Sequence, residues 1–340
     1  MQDFYSDTKT KPTRKMREAV LDASVGDEQK GEDPTTNRLC ERVAELLGKE
    51  AAVFLPSGTM CNEIAIAIHC RPGDEVLCDR TCHILNFEGG GPAALSGVVL
   101  TTLDGDLGRF SADQVEHAIR GPSRYFPRTR LVSVEQTANL GGGAIWKPEA
   151  IDAVAAVAKA HGLATHMDGA RLMNAVVASG VPAARYTQGM DSCWIDFSKG
   201  LGAPVGAVLA GSSEFIEEAW RFKQQWGGAM RQSGILAAMC LYALDHHVDR
   251  LAEDHALAAY IGEALGAMKD VAQVVPVATN IIFFDISPEG PGEEELTRLA
   301  GEAGFIIGPY GGKRIRLLTH LDVDREAADA LISFLRKHLD

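Results

Sequence analysis

Between residues 51 and 211 the chain alternates short apolar runs with helical stretches, and this alternation restricts its possible folds more than any other feature. The runs are 51–55, 75–78, 97–101, 129–135, 164–168, 192–197 and 207–209, and residues 148–161 form one of the intervening helical segments. Strands too apolar to have a wet face, spaced by helices, predict an α/β domain whose mainly parallel sheet is covered on both sides. From about residue 213 helical periodicity takes over, through Trp220, 235–243 and 251–268. An α+β pattern follows: strand 281–286, helix 293–303, strands 305–307 and 314–318, and a last helix 325–339. The expectation is a large domain with the N-terminal segment, 1–247, and a small C-terminal α+β domain, 248–340, a division that suits 340 residues.

The net charge of -13 argues against nucleic acid or an anionic membrane as partner, because like charges repel. No uncharged apolar stretch reaches membrane-spanning length, and the first residues lack a basic region followed by an apolar run, so a cytoplasmic location is expected. The seven cysteines are odd in number and form no CxxC pair. They read as reduced thiols, not as a disulfide or zinc framework, and no metal is expected.

Three segments carry candidate chemistry. In Asp196-Phe197-Ser198-Lys199-Gly200-Leu201-Gly202 a lysine ends an apolar run, and the glycines beside it let a ligand come close. A lysine nucleophile must be partly desolvated to act as a neutral amine. Standing alone, Lys199 reads equally as a surface residue in a glycine turn. In His166-Met167-Asp168-Gly169-Ala170-Arg171 a carboxylate closes another run, at the strand end where α/β sheets bind ligands. Asp168 could be only a helix cap with Arg171 its exposed neighbour. About one helix and one strand separate it from Lys199, however, so both reach the same sheet edge. That pairing suits pyridoxal phosphate, whose ring needs an anion against its nitrogen and an amine for its aldehyde. The third segment, Pro56-Ser57-Gly58-Thr59, lies between a strand and a helix, where free N–H groups and a hydroxyl can hold a phosphate. His83, followed by Phe87-Glu88-Gly89-Gly90-Gly91, could stack on a ring or move protons, or be structural.

These residues, taken in order, resemble the low-specificity L-threonine aldolases, pyridoxal-phosphate lyases of fold type I in the β-eliminating lyase superfamily. The resemblance runs nearly end to end. It includes Ser6-Asp7-Thr8, Val25-Gly26-Asp27, Gly31-Glu32-Asp33-Pro34-Thr35, Phe54 to Thr59, His83, Phe87-Glu88 and His166 to Arg171. It continues through Ser198 to Gly206, Gly227 to Gly234, and Arg316-Leu317-Leu318-Thr319-His320. The resemblance implies a large domain of the aspartate-aminotransferase type and retro-aldol cleavage of L-β-hydroxy-α-amino acids to glycine and an aldehyde. It implies that Lys199 holds the cofactor as a Schiff base, Asp168 pairs with the ring nitrogen and His83 stacks on the ring. Ser57, Gly58, Thr59 and Arg231 would hold the phosphate, with Arg171 also near the cofactor. Ser6, Arg171 and Arg316 would hold the substrate carboxylate, and the assembly would be a homotetramer, a dimer of dimers with shared sites. Two other readings remain: a pyridoxal-phosphate β-eliminating lyase or aminotransferase, and a cofactor-binding protein without lyase activity.

Two positions depart from the pattern. Glu135-Gln136-Thr137-Ala138-Asn139 has Ala138 where relatives usually carry a histidine, and Lys30 stands where they tend to have a tyrosine. The expectation from these changes is a substrate other than threonine itself. Ala138 would leave room for a different β-substituent, and Lys30 would meet an anionic one, as in a 3-hydroxyaspartate.

Overall fold

The computed structural model describes residues 1–340, with thirteen strands in three sheets. Strand β1 (Gln2–Asp3) pairs in parallel with β11 (Phe305–Ile306). The central sheet contains β2 (Ala51–Leu55), β3 (Asp74–Asp79), β4 (Val99–Leu103), β5 (Arg128–Glu135), β6 (Ala164–Asp168), β7 (Ser192–Asp196) and β8 (Ala207–Gly211). Their order is β2-β8-β7-β6-β5-β3-β4, and only β8 runs against its neighbours. The fold class is therefore α/β with a mainly parallel sheet, as the alternating pattern requires. Strands β3, β7 and β8 are buried along their whole length, which is why their sequences lack a polar alternation.

An antiparallel sheet of β9 (Val271–Val274), β10 (Ile281–Ile286), β12 (Gly308–Pro309) and β13 (Arg314–Leu318) lies in the C-terminal part, in the order β12-β13-β10-β9. Each sheet has its own apolar core. One includes Leu39, Phe54, Met167 and Ile195, and the other Ile261, Phe284, Leu317 and Leu331. The helix Leu251–Gly266 serves both, giving Leu251 to the first and Ile261 and Leu265 to the second. Phe4 is fully buried in the second core, and its carbonyl accepts the Leu318 N–H at 2.8 Å. The N-terminal segment thus crosses from the small sheet toward the large one. Strands β1, β9 and β12 are absent from the sequence reading because two to four residues are too short for a period of two to declare itself.

A buried ion pair secures the loops next to the large core. Lys223, on the helix Ser213–Gln225, is fully buried with Nζ 2.9 Å from Glu28 Oε1 and 4.1 Å from the centre of the Trp220 ring. Glu28 also accepts the Met230 N–H and the Ser233 hydroxyl, so residues 27–33 and 228–234 are held together. Removing one member leaves the other charge buried without a partner. Lys223→Ala is expected to lower stability by about 3–5 kcal/mol, measured as a fall in the urea midpoint with unchanged slope.

Candidate active site

Several strands end at one edge of the large sheet and deliver polar groups there. Glu135 closes β5, Asp168 closes β6 and is its register partner, and Asp196 closes β7. Just beyond β7, Asp196 Oδ1 accepts the Ser198 N–H at 2.8 Å and the Ser198 hydroxyl at 2.7 Å. This turn brings Lys199 back, and its Nζ lies 2.9 Å from Asp196 Oδ2. The amine is mostly buried and lies 5.8 Å from the centre of the Trp194 ring. A cleft of about 220 Å³ is lined by Lys199 and Asp168 together, with Ser6, His83, Arg171 and Arg316 among its other walls.

The acids behind the cleft are connected through Asn62, on the helix Gly58–His69. Its Nδ2 donates to Asp168 Oδ2 at 2.9 Å and to Glu88 Oε1 at 2.7 Å. Its Oδ1 accepts from Trp194 Nε1 at 2.7 Å, which leaves the amide one orientation only. Asp168 Oδ1 accepts the Ala170 N–H at 3.0 Å. His83 Nδ1 lies 2.7 Å from Glu88 Oε1, and its backbone N–H donates to Glu135 Oε2 at 2.7 Å. One ligand-capable atom each from His83, Glu88 and Asp168 falls within 4.8 Å of the others, as the shared bonds to Asn62 and Glu88 require.

This concentration of acids shifts their ionisation. Burial, reinforced by the Asp168 charge, pushes Glu135 up to about 7. Burial opposes the charged form of His83, but the hydrogen bond to Glu88 and the nearby Asp168 prevail and raise it. On the opposite wall burial would raise Asp7, yet Arg171 holds it well below the usual carboxylate range.

Arg171 donates to both Asp7 oxygens at 2.8 and 2.7 Å, and Asn280 donates to Asp7 Oδ2 at 3.1 Å. Its Nε and one terminal nitrogen are therefore engaged within the protein. Arg316 is different. Its Nη1 donates to Asn139 Oδ1 at 3.1 Å and its Nη2 to the Tyr5 carbonyl at 3.3 Å, while its buried Nε has no partner. Tyr310 lies under this guanidinium, 4.7 Å from the ring centre. Burial lowers Arg316 from its ordinary value.

The structure brings together Lys199, Asp168, His83, Ser6, Arg171 and Arg316. Ser57, Gly58, Thr59, Arg231, Lys30 and Ala138 are not among the cleft's lining residues within one chain. Ser57 caps the helix Gly58–His69, accepting the Met60 N–H, and leaves the Gly58 and Thr59 N–H groups at its open end. A Cβ at Gly58 would come within 2.1 Å of the Trp194 ring, so glycine is needed for that packing. Arg231 is largely exposed and pairs with Asp27 at 2.8 Å. Lys30 sits in the short 3-10 turn Glu28–Lys30. Ala138 is buried, and a Cβ added at Gly108 would lie 2.8 Å from its methyl. It therefore lies close to Gly108 of the 105–109 loop. Asn62, Glu135, Asp196, Asn139 and Tyr310 were not singled out from the sequence. Glu135, Asp196 and Asn139 could have been marked by their positions at strand ends or in Glu135 to Asn139, whereas Asn62, inside a helix, and Tyr310, in a loop, carry no such signal.

Pyridoxal phosphate fits these groups. The arrangement pairs a sheltered primary amine with a carboxylate fixed by two N–H donors in one cleft, and an imidazole forms the third wall. The guanidiniums of Arg171 and Arg316 supply the positive charge that a carboxylate needs in the same space.

Comparison with known proteins agrees. The β-eliminating lyase family matches residues 3–288. The low specificity L-threonine aldolase of Escherichia coli (strain K12) is 41% identical, with 96% of this chain and 96% of the relative covered. Low-specificity L-threonine aldolase 1 of Arabidopsis thaliana is 41% identical over 94% of this chain and 90% of its own. Among solved structures, the threonine aldolase of Leishmania major superposes with a TM-score of 0.86 at 21% identity, covering 100% of both chains, which speaks to the fold. The chain belongs to the low-specificity L-threonine aldolases, pyridoxal-phosphate-dependent enzymes of the β-eliminating lyase family.

Proposed function

We propose that this enzyme cleaves L-β-hydroxy-α-amino acids of the threonine type into glycine and an aldehyde. The observation that carries the reading is the meeting of Lys199, Asp168 and the under-bonded Arg316 in one cleft. When bound, pyridoxal phosphate supplies a conjugated sink for the electron pair released from the Cα–Cβ bond. Lys199 is the amine that would hold the cofactor, and Asp168 the carboxylate that would pair with its ring nitrogen. The Gly58 and Thr59 N–H groups, with Ser57, hold the phosphate at the helix terminus. Arg316 and Ser6 orient the substrate carboxylate, and Arg171 shapes this wall through its hold on Asp7. His83 engages Glu88 through Nδ1, so Nε2 is the atom that takes the β-hydroxyl proton, directly or through a water.

Arg231, exposed and next to apolar Ile235, is suited to reach a neighbouring subunit's phosphate in a homotetramer of shared sites. The chain divides into domains 1–247 and 248–340, with the N-terminal strand packed on the second. No helix is long and apolar enough to cross a membrane. All seven cysteines are unpaired, which supports a cytoplasmic location.

Two substitutions test the assignment. Arg316→Leu removes the donor awaiting a carboxylate. A charge-assisted bond of about 1.5–3 kcal/mol corresponds to a KM for L-threonine raised by about 10- to 100-fold, read from initial rates. His83 must be unprotonated to accept a proton, so kcat rises as pH passes upward through its ionisation. His83→Asn is expected to lower kcat by about 10²–10⁴ and to abolish that limb of the pH profile. Full turnover with an unchanged profile would remove His83 from this role.

A further inference from the structure

Behind His83 lies a second acid that the proposed reaction does not use. Glu63 is on the helix Gly58–His69, 3% exposed, and neither of its carboxyl oxygens has a hydrogen-bond donor. Its neighbour is another acid, Glu88, whose charge and side chain act on it. Glu88 presents Oε1 to His83 and Asn62, while its own Oε2 is buried and also lacks a donor. The carboxyl group fits closely, since a Cβ at Gly91 would meet Glu63 Oε1 at 1.9 Å. Three acceptor oxygens, two on Glu63 and one on Glu88, thus lack a donor where water is excluded. Two carboxylates cannot both be ionised in such a place, and one proton between them satisfies both.

We propose that Glu63 is protonated and donates its O–H to Glu88 Oε2, which makes it a positioning residue that keeps Glu88 an anionic acceptor for His83 Nδ1. This rests on the reading of His83 given above. The proton on Glu63 divides the basicity of Glu88 between its two oxygens, so less of it bears on the imidazole. The groups around the pair agree with this assignment. Asp168 on β6 and Glu135 on β5 are further acids, the imidazole of His83 is the neighbouring base, and Lys199, Arg171 and Arg316 are the cations lining the same cleft. Burial, with Glu88 beside it, raises Glu63 to about 8. A carboxyl raised above its unfolded value contributes stability below the unfolded value and loses it as pH rises through the folded one. The proton on Glu63 is therefore retained at neutral pH and given up on mild alkalisation.

The test is difference infrared spectroscopy of the purified enzyme against Glu63→Gln and Glu63→Leu, with His83 titrated by ¹⁵N NMR in each. The expected result is a protonated-carboxyl C=O band at pH 7 that shifts in deuterium oxide and is missing in both variants. Glu63→Gln keeps an N–H donor toward Glu88 but cannot ionise. In it, the His83 titration loses the alkaline inflection that the native enzyme shows. Glu63→Leu removes the donor and moves the His83 ionisation upward. Thermal melting adds a structural control: Glu63→Gln gains stability over the native enzyme, and gains more at pH 9 than at pH 5. A native spectrum without the band, or a His83 titration identical in all three proteins, would overturn the proposal. None of these readouts depends on lyase turnover, so an enzyme without the proposed activity could still confirm the shared proton.

Discussion

One amide, that of Asn62, holds the acidic edge of this molecule in order. Its two N–H bonds go to Asp168 and Glu88, carboxylates that would otherwise repel, and its oxygen accepts from Trp194. Trp194 can reach it because Gly58 and Gly169 have no side chains to block the indole or its backbone. His166 adds a second bond to the same oxygen at 3.1 Å, and burial drives that imidazole down to about 3, so it is neutral and donates. One helix, two strands and the turn that carries Glu88 are thereby locked around a single side chain. The Asp168 carboxylate is held by two N–H donors before any ligand arrives, the kind of preorganisation that an electrostatic site requires.

The opposite wall solves a different problem, which is how an acidic chain attracts an amino acid. Asp7 is carried in by a segment anchored through Phe4 and accepts the Arg171 guanidinium, fixing one positive group in a buried pair. Arg316, on β13, gives both terminal nitrogens to Asn139 and the Tyr5 carbonyl at the same cleft. Arg171 keeps one terminal nitrogen outside its pair with Asp7, so both guanidiniums contribute positive charge to this wall. The cleft therefore draws on both sheets and on the N-terminal segment.

Much of this was legible in the amino-acid order. The apolar runs reported the central sheet because buried parallel strands leave a continuous signature, and Lys199 and Asp168 stood out by closing two of them. Ser6, His83, Arg171 and Arg316 follow from the family resemblance and do line the cleft. What escaped notice were single polar residues inside apolar elements. Asn62 and Glu63 sit mid-helix, where only tertiary contacts distinguish a network member from a surface residue. The surroundings of Ala138 were hidden for a related reason: the residue's identity does not show which way its side chain faces, and here it lies close to Gly108. Short edge strands such as β9 and β12 escaped because their pairing partners, remote in sequence, decide their conformation.

The central claim is that the cleft directs bond breaking to Cα–Cβ. Its most direct test is to incubate the pyridoxal-phosphate-loaded enzyme with L-threonine and quantify every product. The account predicts glycine and acetaldehyde in equal amounts, without ammonia. Release of ammonia with 2-oxobutanoate would contradict it and would make the protein an eliminating enzyme built on the same cofactor site.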